Sequence, residues 1–517
     1  MKAKKTTGAA VPSGAKPAVQ PLEIRFAKKE LDARAAEALK AVEDLHVELP
    51  KEVLVSAIGG DPGAEVPGAE PEPVYDAAAR GDIQGNIVPG FNKDHQHFLF
   101  FRIGDIKPAK AWLRRIAKWI ASMEDVLTFV RAHRALRLRL GVREPPLNST
   151  WVNIAFSHQG ISRLVGAADA DAFGDQSFRQ GLAARSTYLG DPSRAAHPGH
   201  RSRWVVGGPK NEAEILVIVA ADVPGELEAM VVEIRRSARD AGLELLFEQR
   251  GDTLPGALRG HEHFGFKDGV SQPGIRGKVS AAPGDFITPR RIDPADPRAR
   301  YFARPGQLLV WPGEFLLGER RQGTESLTAS AAPAANFPRW AARGSYLVCR
   351  RLRQDVPAFW RFAAGAAAAL GMPTQQFAAM LVGRWPSGAP LMRAPAADDP
   401  ALAGDEWANN HFIYDDDTRP SMLRPIPGYP GDLFPQARAD VLGAVCPHFA
   451  HVRKANPRDQ ATDLGKPQDT VLRMILRRGI PFGPPALGAV GKGVLKKERG
   501  LMFLCCAATI ESQFELL

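Results

Sequence analysis

The sequence predicts an α+β protein of two ferredoxin-like halves, antiparallel sheets with peripheral helices. Three observations carry that class. Residues 97–103 form an apolar run, His-Phe-Leu-Phe-Phe-Arg-Ile, with the pattern of a buried strand. Residues 214–221 form another, rich in Ile and Val. Helix-like stretches over 107–133 and 226–241 follow these two runs. With strands over 149–156 and 243–248, the order is strand-helix-strand, strand-helix-strand, that of a ferredoxin-like unit.

Taken from the N-terminus, residues 1–20 are rich in Lys, Ala and Pro and read as a disordered tail. They hold no apolar core and no twin arginine, so no secretion signal is expected. Residues 21–80 combine a helix-like stretch over 21–57 with a Gly-Pro-Glu linker over 59–72, and order is expected to start at Gly81. The first half spans 81–250, a connecting segment 251–305, and the second half 306–517. In the second half, 307–311 and 345–351 read as strands, 356–370 and 374–382 as helices, and 394–410 as loop. A helix over 471–477 is expected before the turn Gly-Ile-Pro-Phe-Gly, and 500–508 reads as a last buried strand. The halves share no sequence repeat.

Composition narrows the class. In 517 residues, 44% hydrophobic and 24% charged content is that of a soluble globular chain with a sizeable core. The net charge of +10 is spread along the chain without a nucleic-acid-reading signature, so no nucleic-acid partner is expected. No run approaches the roughly 18 apolar residues of a membrane span. The four cysteines, Cys349, Cys446, Cys505 and Cys506, suggest neither a disulfide framework nor a thiolate zinc site. A cytoplasmic protein is the expectation, with homo-oligomerisation open.

Chemistry-bearing residues gather in three segments. Gly265-Phe-Lys-Asp-Gly-Val-Ser-Gln-Pro holds Asp268 between two glycines that permit a tight turn. Cys446-Pro-His-Phe-Ala-His-Val-Arg-Lys holds His448 and His451 among cations, with Arg453, Lys454 and Arg458 able to meet an anionic cofactor edge and Phe449 and Val452 able to pack on a flat one. Leu476-Arg-Arg-Gly-Ile-Pro-Phe-Gly holds the adjacent Arg477 and Arg478. Each alone has an ordinary reading: an exposed turn, a basic helix, and an arginine closing a helix on its last carbonyls.

Together, in this order, the three segments resemble the longer-chain dye-decolourising peroxidases, a family of haem enzymes. The likeness runs from about Gly81 to Glu515 and includes Asp82-Ile-Gln-Gly-Asn, Gly344-Ser-Tyr-Leu-Val and Arg499-Gly-Leu-Met-Phe-Leu. It implies a dimeric α+β-barrel-like body with haem b held noncovalently by the second half; no Cys-X-X-Cys-His is present for covalent attachment. It implies His451 as the axial iron ligand, although the family usually has an apolar residue where this chain has His448. It implies Asp268 as the group that moves the peroxide proton and Arg477, the first of the two arginines, as its distal partner. Arg453 becomes a candidate for the propionates, Leu501 and Phe503 for the distal haem face, and Glu511 for the carboxylate behind the His451 imidazole. The implied reaction reduces hydrogen peroxide through a ferryl state and oxidises phenols, dyes or other bulky aromatic donors. Trp360 and Tyr346 are conceivable electron relays.

The chemistry asks for these residue types. Peroxide must lose a proton from one oxygen and deliver one to the other, so a single group serves as base and then acid. A carboxylate, with an ordinary pKa of about 3.9 against about 6.5 for histidine, remains a base in acid. A permanently charged guanidinium stabilises the charge that develops as the O–O bond breaks. Two other readings stand beside this one. A haem carrier needs His451 but not Asp268 with Arg477; a non-haem metal hydrolase would use His261, His263 and Asp268.

Overall fold

The computed structural model describes residues 69–141, 147–282, 284–415, 434–435, 437–463, 465–485 and 497–517. The expected tail over 1–20, the helix over 21–57 and most of the linker lie outside them.

The first half forms the sheet the sequence predicts. Strands β1 (His95–Ile103), β2 (Thr150–Phe156), β3 (Ile215–Ala221) and β4 (Leu243–Asp252) lie in the order β2-β3-β1-β4, every neighbour antiparallel. Side chains alternate between faces along a strand, and β1 shows why its sequence is apolar throughout. Leu99, Phe101 and Ile103 pack on one face against Trp112 of the helix Ile106–Ile116 and Leu227, Val231 and Ile234 of the helix Pro224–Asp240. Phe98 and Phe100 point to the other face and meet the second half. Each such side chain contributes about 1.5–3 kcal/mol by leaving water.

The single helix expected over 107–133 is two, Ile106–Ile116 and Met123–Leu140. Between them Ile120 bridges Val152 of β2. The second helix then starts on a reciprocal cap: the Asp125 carboxylate accepts from Ser122 N at 2.7 Å, and Ser122 Oγ accepts from Asp125 N at 3.3 Å. The Ser-X-X-Asp spacing that signals such a start is present in the sequence.

A small sheet joins the halves: β5 (Gly274–Ile275) runs parallel to β7 (Gln307–Val310), which pairs with β6 (Phe302–Arg304). A short ribbon, β8 (Arg321–Gln322) with β9 (Ser330–Ala331), follows. The second half centres on β13 (Gly500–Ala507), flanked by β10 (Tyr346–Arg353) on one side and by β11 (Leu476–Arg477) and β12 (Ile480–Phe482) on the other, all antiparallel. Its inner face, carrying Ile480, Phe482, Met502 and Leu504, packs on Phe98, Phe100, Leu216 and Ile218 of the first sheet. Gly251 permits the contact, because a Cβ there would lie 2.5 Å from Ile480 Cγ2.

Packing begins ahead of Gly81. Glu72 accepts from Arg290 at 2.6 Å and Arg276 at 3.3 Å, and Tyr75 is buried. The helix expected over 471–477 is absent: the helix is Pro467–Val471, and Arg477 lies on β11, where pairing with Cys505 of β13 holds the backbone extended.

Candidate active site

Strand geometry separates the two adjacent arginines. Successive residues on β11 and just beyond it point to opposite faces. Arg477 lies opposite Cys505 and so shares the outer face of the sheet with Phe503 and Leu501, whereas Met502 and Leu504 point into the core between the sheets. Arg477 Nη1 donates to Asp268 Oδ1 at 2.9 Å and Nη2 to the Ser271 carbonyl at 2.6 Å. Arg478 goes the other way. Its guanidinium donates to the carbonyls of Asn86 and Ile87, each at 2.7 Å, of Arg477 at 2.8 Å and of Pro89 at 3.2 Å. Arg478 thus fastens the early Asp82-Ile-Gln-Gly-Asn turn to the second sheet, and Arg477 is the arginine that reaches Asp268.

The Asp268 turn is built by its neighbours. Gly265 and Gly269 both have positive φ, 99° and 73°, which glycine adopts without steric cost. The Glu262 carboxylate accepts from the backbone N–H groups of Phe264 and Phe266, each at 2.9 Å, and burial raises its pKa. Lys267 N donates to the Pro386 carbonyl at 3.0 Å, and Asp268 N to that of Gly260 at 2.8 Å. Asp268 itself is exposed, with Gly269 N donating to Oδ1 at 2.6 Å. Trp360 braces the turn from outside: its Nε1 donates to the Phe264 carbonyl at 3.1 Å and its ring lies parallel to Phe266.

His451 opens the short helix His451–Ala455. Its side chain is reached by solvent and yet partly enclosed by protein atoms. Its pKa is lowered, first by that enclosure and then by the Arg477 cation, with the Asp268 anion pulling the other way. The imidazole therefore lies within electrostatic reach of both Arg477 and Asp268 and is held toward its neutral form. Among the described residues it has no hydrogen-bond partner. His448, the rival histidine, packs instead on the Gly443 turn, and Phe449 is exposed beside it. Gly383 seats the helix: its φ is 89°, and a Cβ there would lie 2.2 Å from Val452 Cγ2.

Two expected residues have partners elsewhere. Arg453 is two positions, about 200° of helix, from His451, and so points to the other side of the helix. It is buried, donating to Asp440 Oδ2 at 3.0 Å, to the Cys446 carbonyl at 2.5 Å and to Gln460 at 2.9 Å. Asp440 in turn accepts from the N–H groups of Ala444, Val445 and Cys446. Arg453 thus holds the loop before the histidine. Glu511 lies in the closing turn Ile510–Phe514 and accepts from Gln176 N of the first half at 3.1 Å.

Two further cations, Arg384 and Arg458, meet no described carboxylate. Arg384 Nη2 and Arg458 Nη2 converge on one neutral acceptor, Asn410 Oδ1, at 3.1 and 2.6 Å. Their other hydrogen bonds go to the carbonyls of Gly388 and Asn409 (Arg384) and of Asn410 and Phe412 (Arg458), and neither makes a salt bridge to a described carboxylate. Burial and the neighbouring Arg458 charge push Arg384 down to about 9; the Arg477 charge reaches it too. Sequence reading placed Arg458 near the site and missed Arg384, whose chain distance hides it. Also missed were Gln272, Gly383 and Asp440. Of these, Gln272 lay inside the quoted turn motif.

The alternative metal pair is not assembled. His263 is buried with Nε2 2.8 Å from the Phe482 carbonyl, and no group of three His, Cys, Asp or Glu that could hold a metal ion occurs among the described residues.

The chain has known relatives. The family described as the DyP dimeric alpha+beta barrel domain matches residues 82–253. Dye-decolorizing peroxidase msp1 of Mycetinis scorodonius is 31% identical over 448 residues, which cover 84% of this chain and 72% of the relative. The chain belongs to the dye-decolourising peroxidase family. The structure of an ancestral D-type dye decolorizing peroxidase superposes with a TM-score of 0.62 at 30% identity, covering 84% of this chain and 82% of the other. A dye-decolorizing peroxidase in complex with 2,6-dimethoxyphenol gives 0.59 at 28% identity, over the same shares. Membership makes the chain an enzyme, a peroxidase of this type.

Proposed function

We propose that this chain is a haem-dependent peroxidase that reduces hydrogen peroxide between Asp268 and Arg477 and oxidises phenolic, dye-like or other bulky aromatic donors. The observation that carries the reading is the Asp268–Arg477 pair, fixed by Ser271 and the Gly265–Gly269 turn and lying within electrostatic reach of the unpartnered imidazole of His451. The residues fit haem b. A neutral imidazole is the form that binds iron. Two enclosed guanidiniums on a single amide oxygen call for anions, and the two propionates would supply them at Arg384 and Arg458. Leu501 and Phe503 offer an apolar wall on the Arg477 face. The similar protein in complex with 2,6-dimethoxyphenol supports a phenolic donor.

When bound, haem supplies the iron that accepts two oxidising equivalents from peroxide. Asp268 takes the proton from the near oxygen of peroxide and returns it to the far one, which leaves as water. Arg477, already oriented by Asp268 and Ser271, stabilises the negative charge on the departing oxygen. One peroxide and two phenols thus give two waters and two phenoxyl radicals.

The test is a haemin titration followed in the Soret region. Wild-type protein and His448→Ala are expected to bind one haem, while His451→Ala keeps its fold and loses most of it. The reverse pattern would remove His451 from its role. Haem binding without reaction with peroxide would make a carrier the better reading.

A further inference from the structure

We infer that Gln272 is a positioning residue that sets the placement of Arg477 against Asp268, acting through the Arg477 backbone. β11 is two residues long and pairs with β13 along one edge only. Its other edge would leave the Arg477 N–H unmatched and its C=O held only by Arg478 Nη1 at 2.8 Å, a bond from the neighbouring residue that does not tie the edge to another segment. The Gln272 side chain closes that edge as a second strand would. Its Nε2 donates to the Arg477 carbonyl at 3.0 Å, and its Oε1 accepts from Arg477 N at 3.3 Å. Its own carbonyl accepts from Gln307 Nε2 at 3.4 Å, which ties it to β7.

The consequence is geometric. Asp268 and Gln272 belong to one short segment, so the amide that clamps Arg477 travels with the carboxylate that Arg477 must meet. The side-chain contact between Asp268 and Arg477 is an exposed ion pair, 41% and 31% accessible, and such pairs define position weakly. The two Gln272 bonds fix the arginine backbone independently of charge. A glutamine is required because one donor and one acceptor must face a peptide unit together. Leucine offers neither. A glutamate ionised at pH 7 keeps only the bond from Arg477 N, while the Arg478 guanidinium, 2.8 Å from the same carbonyl, faces the new charge with Arg477 and Asp268 nearby.

The inference rests on the proposed peroxidase reading, and fluoride is the probe because it reports on Arg477 without turnover. The haem-loaded protein is titrated with fluoride at pH 7 and followed in the Soret region. A guanidinium in the distal pocket stabilises the small anion, so Gln272→Leu is expected to weaken fluoride binding about tenfold and slow the reaction with peroxide roughly 10- to 100-fold, the cost of an ångström of misplacement. Gln272→Glu should fall between the two, and haem affinity should not change. The deciding measurement is a double-mutant cycle. Gln272→Leu should cost nothing further in an Arg477→Leu background, since the backbone bonds remain but the guanidinium they position is gone. Wild-type fluoride affinity in Gln272→Leu, or an equal loss in both backgrounds, would overturn the inference. If wild-type protein binds no haem, the peroxidase reading fails instead, a separate outcome seen before any fluoride is added.

Discussion

Arg477 and Arg478 are adjacent and chemically identical, yet the structure assigns them different work, so their leucine variants should fail in different assays. Arg477→Leu removes a partly exposed ion pair with Asp268, worth roughly 0–1 kcal/mol of stability. The chemistry loses more: a preorganised donor at a developing charge is worth roughly 100- to 1000-fold in rate. Arg478→Leu strips partners from the carbonyls of Asn86, Ile87 and Pro89. At about 1–3 kcal/mol for each acceptor left unmatched, partly offset because an enclosed unpaired cation is removed, the net loss is about 3 kcal/mol. For 517 residues the unfolding entropy is roughly 1 kcal/mol per kelvin, so the melting midpoint should fall by about 3 °C. Thermal melting and stopped-flow mixing with peroxide, run on both variants, separate the effects. Arg477→Leu should melt with wild type and react at least 100-fold more slowly; Arg478→Leu should melt early and, once loaded with haem, react within a few-fold of wild type. The opposite pairing of defects would refute the assignment and, with it, the use of strand alternation to choose between them.

Arg453→Met should destabilise the protein by about 3–5 kcal/mol, because it leaves the buried Asp440 carboxylate without its cation; denaturant unfolding would show it, and an unchanged midpoint would return Arg453 to the list of cofactor contacts. Asp268→His should move the acid limb of dye oxidation up toward pH 6, since an imidazole protonates near 6.5 where a carboxylate ordinarily does so near 3.9; a pH–rate profile that keeps its acid limb would remove Asp268 as the base. Trp360→Phe loses the bond to the Phe264 carbonyl beside the Asp268 turn. We expect a large dye to lose more turnover than a small phenol, and equal retention of both would exclude Trp360 as a relay.

The sequence alone determined the first sheet and the family. Strand runs over 97–103 and 214–221 are apolar on both faces because each face meets a different layer, and that pattern survives without knowledge of the layers. Gly265 and Gly269 announce the Asp268 turn because a positive φ restricts the residue type. The facing of Leu501 and Phe503, opposite to that of Met502 and Leu504, was legible through the period of two. The sequence did not determine what its own arginines do. Arg453, Arg458, Arg477 and Arg478 look alike in one dimension, and the expected helix over 471–477 would have set Arg477 and Arg478 only 100° apart. Pairing of β11 with Cys505 and Cys506 of β13 turned them to opposite faces. Burial beside Asp440 gave Arg453 a carboxylate partner, and Arg384, 67 residues before His451, meets Arg458 on the Asn410 side chain. Long cationic side chains suit many surroundings, so their roles are set by which acceptors lie within about 3 Å, and only the folded chain brings those acceptors from distant segments.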